Sequence, residues 1–334
     1  MRPRVAIVYN KPVPNQYYDK VEERAVGSIL DSVEAVHHAL LESGCSIVRV
    51  PLLPPLEQLS KNLKNLTADL LFNLFEGFAG YPETEAMVPK IASKLGIPYT
   101  GCSSEALSLA LDKARTKAIL EEWGIATPRY QLLNPETIDK FHLSYPCIVK
   151  PCRQDASHGL SENSVVDEFA ALEKQVELIS NIFGREVLVE EFIDGPEFNA
   201  TIMGDSKYTV LPISEIDYLL PAGMPRILTF AAKWQPDSLY FQGTEVVCPA
   251  QVSDSERKGI TKTTVAVFKL LCQEGYARLD MRLDGEGQLN VIEVNPNPDI
   301  SPDSGAARQA KAAGMSYAQF INRIVELALD KGSR

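Results

Sequence analysis

Asp280, Glu293 and Asn295, two carboxylates and a carboxamide, are the residues whose types and spacing first suggest chemistry. They lie in ARLDMRLDGEGQLNVIEVNPNP, where two alternating runs flank DGEG in the manner of a β-hairpin. Pairing 284 with 287, or moving the turn one residue out on each arm, gives partners whose numbers sum to an odd value. Even positions on the first arm then share a face with odd positions on the second. Arg278, Asp280, Glu293 and Asn295 fall on that face, and Leu279, Met281, Leu283, Ile292 and Val294 fall on the other. Hard oxygen ligands without histidine or cysteine suit magnesium, and magnesium suggests phosphate chemistry. The hairpin alone also reads as a solvent face whose acids pair with Arg278 and Arg282, and in isolation that reading is preferred because surface ion pairs are common.

A frame of some size must hold this hairpin. With 334 residues the chain exceeds one hydrophobic core, so two or three domains are expected. Near the N-terminus, strand-like runs at Val5 to Val8, Ile47 to Val50 and Leu70 to Leu74 alternate with helical spacing from Glu22 to Leu41 and from Glu83 to Leu95. That order predicts a βαβ unit with a parallel sheet, although no GxGxxG follows the first strand. A single helix is expected from Ser103 to Trp123, stopped by Gly124. Tyr145 to Lys150 reads as a strand, RQDASHGLS as a polar loop, and Val166 to Ile182 as a helix. EVLVEEFIDGPEFNATIMG reads as a strand-turn unit about Gly195-Pro196. An irregular stretch (Glu215 to Gly243), a helix (Ser253 to Cys272), the hairpin (Ala277 to Asn295) and a closing helix (Tyr317 to Leu329) complete the chain. The expected division is 1–102, 103–190 and 191–334, an α/β fold that becomes α+β in its C-terminal part.

Hydrophobic residues make up 45% and charged residues 23%, which excludes intrinsic disorder. A net charge of −11 without a local basic patch argues against nucleic acid and membrane surfaces and for a small-molecule partner. The six cysteines form no CxxC pair and read as free, mostly buried thiols. No 18-residue apolar window occurs and the N-terminal apolar run is short, so a cytoplasmic location is expected.

Five strings, GIPYTG (96–101), DKARTK (112–117), YPCIVKP (145–151), VEEFIDGPEF (189–198) and EVNPNPDIS (293–301), occur in an order that resembles the D-alanine-D-alanine ligases of the ATP-grasp superfamily. The resemblance spans nearly the whole chain. It implies an ATP-grasp fold whose two lobes clamp ATP behind an N-terminal domain, two magnesium ions with manganese as an alternative, and a homodimer. Lys113 and Lys150 match lysines on the ATP phosphates, where a compact ammonium is suited. Glu190, Glu191 and Ile193 match the segment reading adenine, Glu197 the acid on the ribose, and Asp280, Glu293 and Asn295 the metal ligands. RQDASHGLS, with Ser157 as a catalytic position, matches the loop over the phosphates, where backbone N–H groups and Gly159 would act. Lys233 matches the ω-loop lysine, and Arg278 the arginine facing the developing oxyanion. The implied reaction runs from carboxylate to acyl phosphate and then, by attack of an amine, to an amide.

The chain also departs from that family. Glu76, Trp234, Asp299 and Ser304 are the positions expected to face amino-acid substrates, and three of them carry unusual residues. Two members of the triad that holds the first D-alanine fall on Ala156 and Trp234, and the third has no counterpart. Glu76-Gly77 replaces a histidine-glycine pair, and Asp299 replaces a glycine beside the acceptor carboxylate, where it would repel an anion and welcome an amine or guanidinium. The expectation is a ligase joining two amino acids, or an amino acid and an amine. An authentic D-alanine-D-alanine ligase of peptidoglycan synthesis is the second reading, and an ATP-binding regulator without turnover the third.

Overall fold

The apolar run near the N-terminus becomes strand β1 (Arg4–Asn10), followed by α1 (Lys20–Glu42), β2 (Ser46–Leu52), α2 (Glu57–Lys64), β3 (Leu70–Leu74) and α3 (Met87–Leu95). This computed structural model describes residues 3–11, 20–78, 81–155, 157–184 and 186–332. The strands are parallel in the order β2-β1-β3, as crossover helices require. The helix expected from Glu83 is a 3₁₀ turn (Pro82–Ala86) leading into α3, which Gly96 ends in the left-handed region at φ 67°.

The single helix expected over 103–123 is two helices, α4 (Ser104–Leu111) and α5 (Lys113–Glu122). Asp112 breaks the run because its carboxylate accepts from the Arg115 amide at 3.1 Å, capping α5 and placing Lys113 in its first turn. Strands β4 (Tyr130–Leu133), β5 (Cys147–Pro151) and β6 (Val165–Val166), helix α6 (Phe169–Phe183) and strand β7 (Val187–Glu191) follow. They form an antiparallel sheet, β4-β7-β5-β6, backed by Leu172, Val176 and Ile179 of α6.

Next come β8 (Glu197–Gly204), β9 (Tyr208–Val210), β10 (Ser214–Tyr218), α7 (Phe230–Trp234), α8 (Leu239–Gln242), β11 (Thr244–Val247) and α9 (Asp254–Leu271). The chain ends with β12 (Gly275–Leu283), β13 (Leu289–Pro296), α10 (Gly305–Ala312) and α11 (Tyr317–Gly332). The stretch expected to be irregular thus holds a strand and two short helices. Strands β7 and β8 flank the expected turn but do not pair with each other. Strand β7 pairs with β4 and β5, whereas β8 joins the sheet β11-β10-β8-β12-β13, with β9 on its flank. The turn carries the chain from one sheet to the other, and Gly195 is required there: a Cβ would lie 1.7 Å from the Leu283 carbonyl oxygen.

Packing links distant segments. Phe320, Ile321 and Ile324 of α11 share a core with Val5, Ile7 and Phe72 of the parallel sheet and Val33 and Val36 of α1. Ala106 and Leu120, from α4 and α5, share one with Phe198, Ala200, Leu279 and Val294 of the large sheet. Among the described residues no cysteine forms a disulfide, and no helix is long and apolar enough to cross a membrane.

Candidate active site

Strands β12 and β13 pair Arg278 with Asn295 and Asp280 with Glu293, so the four side chains share a face as expected. The odd sum does not begin at the turn, however. Met281 pairs with Val291, Arg282 with Asn290 and Leu283 with Leu289, all with even sums. A β-bulge with Ile292 as the extra residue shifts the register between Met281 and Asp280. Without it Asp280 would pair with Ile292, and Glu293 would turn into the core. The bulge also corrects the expected core set: Val291 is buried there, and Ile292 lines the cleft instead.

That cleft opens between the four-stranded and six-stranded sheets, with about 830 Å³ of empty space counting its open mouth. The β7–β8 crossing contributes Glu190, Glu191, Ile193 and Glu197 to it. Lys113, Lys150, Ser157, Lys233, Arg278, Asp280 and Glu293 also line it.

Cations and acids are interleaved along the wall. Lys113 Nζ lies 2.9 Å from Glu293 Oε1 and 3.1 Å from Asp155 Oδ1, and donates to the Gln154 carbonyl at 2.6 Å. Burial pulls the Lys113 pKa down, but Glu293 and Asp155 outweigh it and hold the pKa above the ordinary lysine value. For Glu293 burial works upward, yet Lys113 and Lys150 draw its carboxyl down to about 2. Lys150, expected at the phosphates, lies 2.5 Å from Glu190 Oε2, and Lys117 lies 2.9 Å from Oε1. Glu190, expected in the segment reading adenine, therefore contributes a buried side chain that holds two lysines. Thr229 caps α7 and so sets Lys233, whose pKa is lowered by burial and by nearby Arg278. A phosphate beside Lys233 would favour its charged form.

The acid pair fits a hard cation. Arg278 grips Asp280 through Nε at 2.7 Å and Nη2 at 2.8 Å, while Asn199 and Asn295 donate to it at 2.6 and 2.9 Å. Burial raises the Asp280 pKa despite Arg278, so a further positive charge would stabilise its ionised form. Among the described residues no three His, Cys, Asp or Glu side chains converge on a cation. Two carboxylates and the carboxamide of Asn295, whose oxygen and nitrogen exchange places by a flip, leave positions for water and phosphate, as magnesium prefers.

At the other end Glu197 accepts from Arg282 and Tyr218. Ser157, at φ 62°, donates its hydroxyl to the Leu228 carbonyl at 2.9 Å. Its hydroxyl thus ties the loop that carries it to the segment before α7, and the Phe230 amide reinforces the tie by donating to the Leu160 carbonyl at 3.3 Å.

Glu76, Trp234, Asn295, Asp299 and Ser304 do not line this cleft. Asn295 still touches it through Asp280, whereas Ser304 caps α10 by accepting from the Ala307 amide at 3.2 Å. Asp299 turns back on its own loop, accepting from the Ser301 amide and hydroxyl at 2.8 Å each. Glu76 still reaches solvent, but crowding by protein and the nearby Asp299 raise its carboxyl to about 7. The Trp234 indole nitrogen is buried without a partner, and Ala156 lies outside the described residues. Sequence reasoning missed Lys117, Arg282 and Tyr218 as site residues. Lys117 stands one helical turn beyond Lys113, and Arg282 has the parity of Asp280, so both were findable. Tyr218 sat in the stretch expected to be irregular and carried no such signal.

A parallel N-terminal unit followed by two antiparallel sheets around an acid-and-cation cleft is the ATP-grasp fold. A family model described as "D-ala D-ala ligase C-terminus" matches residues 119–326. The D-alanine-D-alanine ligase of Marinomonas sp. (strain MWYL1) is 31% identical over 331 residues, 95% of this chain and 96% of that protein. Among solved structures, the D-alanine-D-alanine ligase from Bacillus anthracis superposes with a TM-score of 0.76 at 22% identity, covering 100% of this chain and 99% of that one. The VanG D-Ala:D-Ser ligase from Enterococcus faecalis does so at 0.75 and 20%, covering 98% and 100%. At those identities the two structures establish the fold. The chain belongs to the D-alanine-D-alanine ligase family.

Proposed function

We propose that the protein is an ATP-dependent carboxylate-amine ligase that joins two amino acids, or an amino acid and an amine, through an acyl phosphate. The observation that carries this is the convergence of Lys113, Lys150, Lys233 and Arg278 with Asp280 and Glu293 along one cleft. Adenine is assigned to the Glu190, Glu191 and Ile193 end, ribose to Glu197, and the phosphates to the lysines and the loop carrying Ser157. Asp280, Glu293 and Asn295 would hold magnesium, which when bound supplies positive charge to the phosphate oxygens. A substrate carboxylate attacks the γ-phosphorus, ADP leaves, and the amine then attacks the acyl carbon. Arg278 stabilises the tetrahedral oxyanion until phosphate departs, so positioning and electrostatics carry the reaction without a covalent enzyme nucleophile.

The substrate pair we favour is not two D-alanines. The departures from the family's residues at Trp234 and Asp299 support this. A D-Ala:D-Ser ligase on the same fold supports the broader range. A homodimer in the cytoplasm is the proposed setting. ADP release with magnesium, with and without a panel of amino acids and amines, tests the reading. No ADP from any mixture sinks the ligase, and ADP only with D-alanine restores the cell-wall role.

A further inference from the structure

Glu197 receives three hydrogen bonds on one oxygen. Its Oε2 accepts Arg282 Nε at 3.0 Å, Arg282 Nη2 at 2.6 Å and the Tyr218 hydroxyl at 2.8 Å. No described donor reaches Oε1, although the side chain is only 6% exposed and lines the cleft. A carboxylate with one oxygen saturated and the other bare is oriented as well as neutralised.

Arg282 is itself held on several sides. Its Nη1 donates to the Ile193 carbonyl at 2.7 Å, and its Nη2 also reaches the Arg226 carbonyl. The guanidinium lies 5.2 Å from the Phe192 ring centre and 5.8 Å from that of Tyr218. One planar fork thus joins the sheet-to-sheet crossing, the acid and the segment leading to α7, which the point charge of a lysine does not reproduce. Burial and Glu197 raise the Tyr218 pKa well above its ordinary value, so its hydroxyl stays a donor.

We propose that Arg282 and Tyr218 are positioning residues that present Glu197 Oε1 to a ribose hydroxyl, making the sugar of the nucleotide a determinant of specificity. This rests on the cleft being the nucleotide site. The test is calorimetric binding of ATP, 2′-deoxy-ATP and 3′-deoxy-ATP, with magnesium, to the full chain and to Tyr218→Phe and Arg282→Lys. The unaltered protein should bind ATP roughly 10- to 100-fold more tightly than at least one deoxy analogue, the usual worth of a hydrogen bond to a charged group. In the variants ATP affinity should fall towards that of the analogue, whose own affinity changes little, so the ratio collapses.

Equal losses for all three nucleotides would make the residues merely structural and overturn the proposal. An unaltered protein that binds all three alike overturns it too. Tyr218→Phe removes one oxygen and keeps the Arg282–Glu197 pair, so it decides the matter even where Arg282→Lys does not fold. Binding of none of the nucleotides overturns the nucleotide reading as well, whereas intact discrimination without ADP release overturns the ligase reading alone.

Discussion

Glu293 faces Asp280 across the hairpin and pairs with Lys113, so one carboxylate serves both the acid pair and a cleft cation. Glu293→Gln removes that charge while Lys113 keeps Asp155 as a partner. ADP release should fall by roughly 10²-fold or more, with the circular dichroism spectrum unchanged. Near-normal turnover would refute the metal assignment. Glu76 makes a separate prediction about pH. Its folded pKa, about 7, is above the ordinary value of 4.5, so between these values the folded chain holds a proton that the unfolded chain has lost. Its contribution is therefore complete below pH 4.5 and lost as pH rises through about 7. From pH 5 to pH 8 the melting midpoint should drop more in the natural protein than in Glu76→Gln. Parallel curves would show that Glu76 does not titrate there. The acid pair was legible from residue type and spacing, and Lys113 only through the resemblance of DKARTK to the family. The use of Asp299 and Ser304 as loop and helix caps was not, because capping is decided by backbone conformation.

Elements explain how those residues are aimed. The apolar spacing of 103–123 continues through Asp112, so the sequence reads as one helix; the break appears only where the Asp112 carboxylate turns to cap α5. Something similar holds for the hairpin. Its alternation is legible, yet the parity at Asp280 depends on a bulge that balances an even-sum turn. Gly195-Pro196 is legible as a turn, but its passage between sheets is not. Gly195→Ala should force the crossing away from Leu283, costing about 2 kcal/mol or more in urea unfolding and most of the ADP release. Unchanged unfolding would mean that the crossing has slack.

Across the whole molecule, the last helix completes the first sheet. Phe320 is fully buried in the core that includes Val5, Ile7 and Phe72. Phe320→Ala should cost about 3–5 kcal/mol and speed hydrogen exchange in β1 and β3, far away in sequence. Exchange increases confined to α11 would show that the parallel sheet is stable without it.

The sequence by itself determined the α/β beginning, the hairpin and the residue types able to bind phosphate and a hard cation, because periodicity and side-chain chemistry are local properties. Its ordered motifs also carried the family. Only the tertiary structure decided that Ile292 leaves the core, that Glu190 holds two lysines, that Glu197 is oriented by Arg282 and Tyr218, and that α11 roofs the parallel sheet. Each of these depends on which distant backbone comes within a few ångströms, and neither residue type nor spacing encodes that distance.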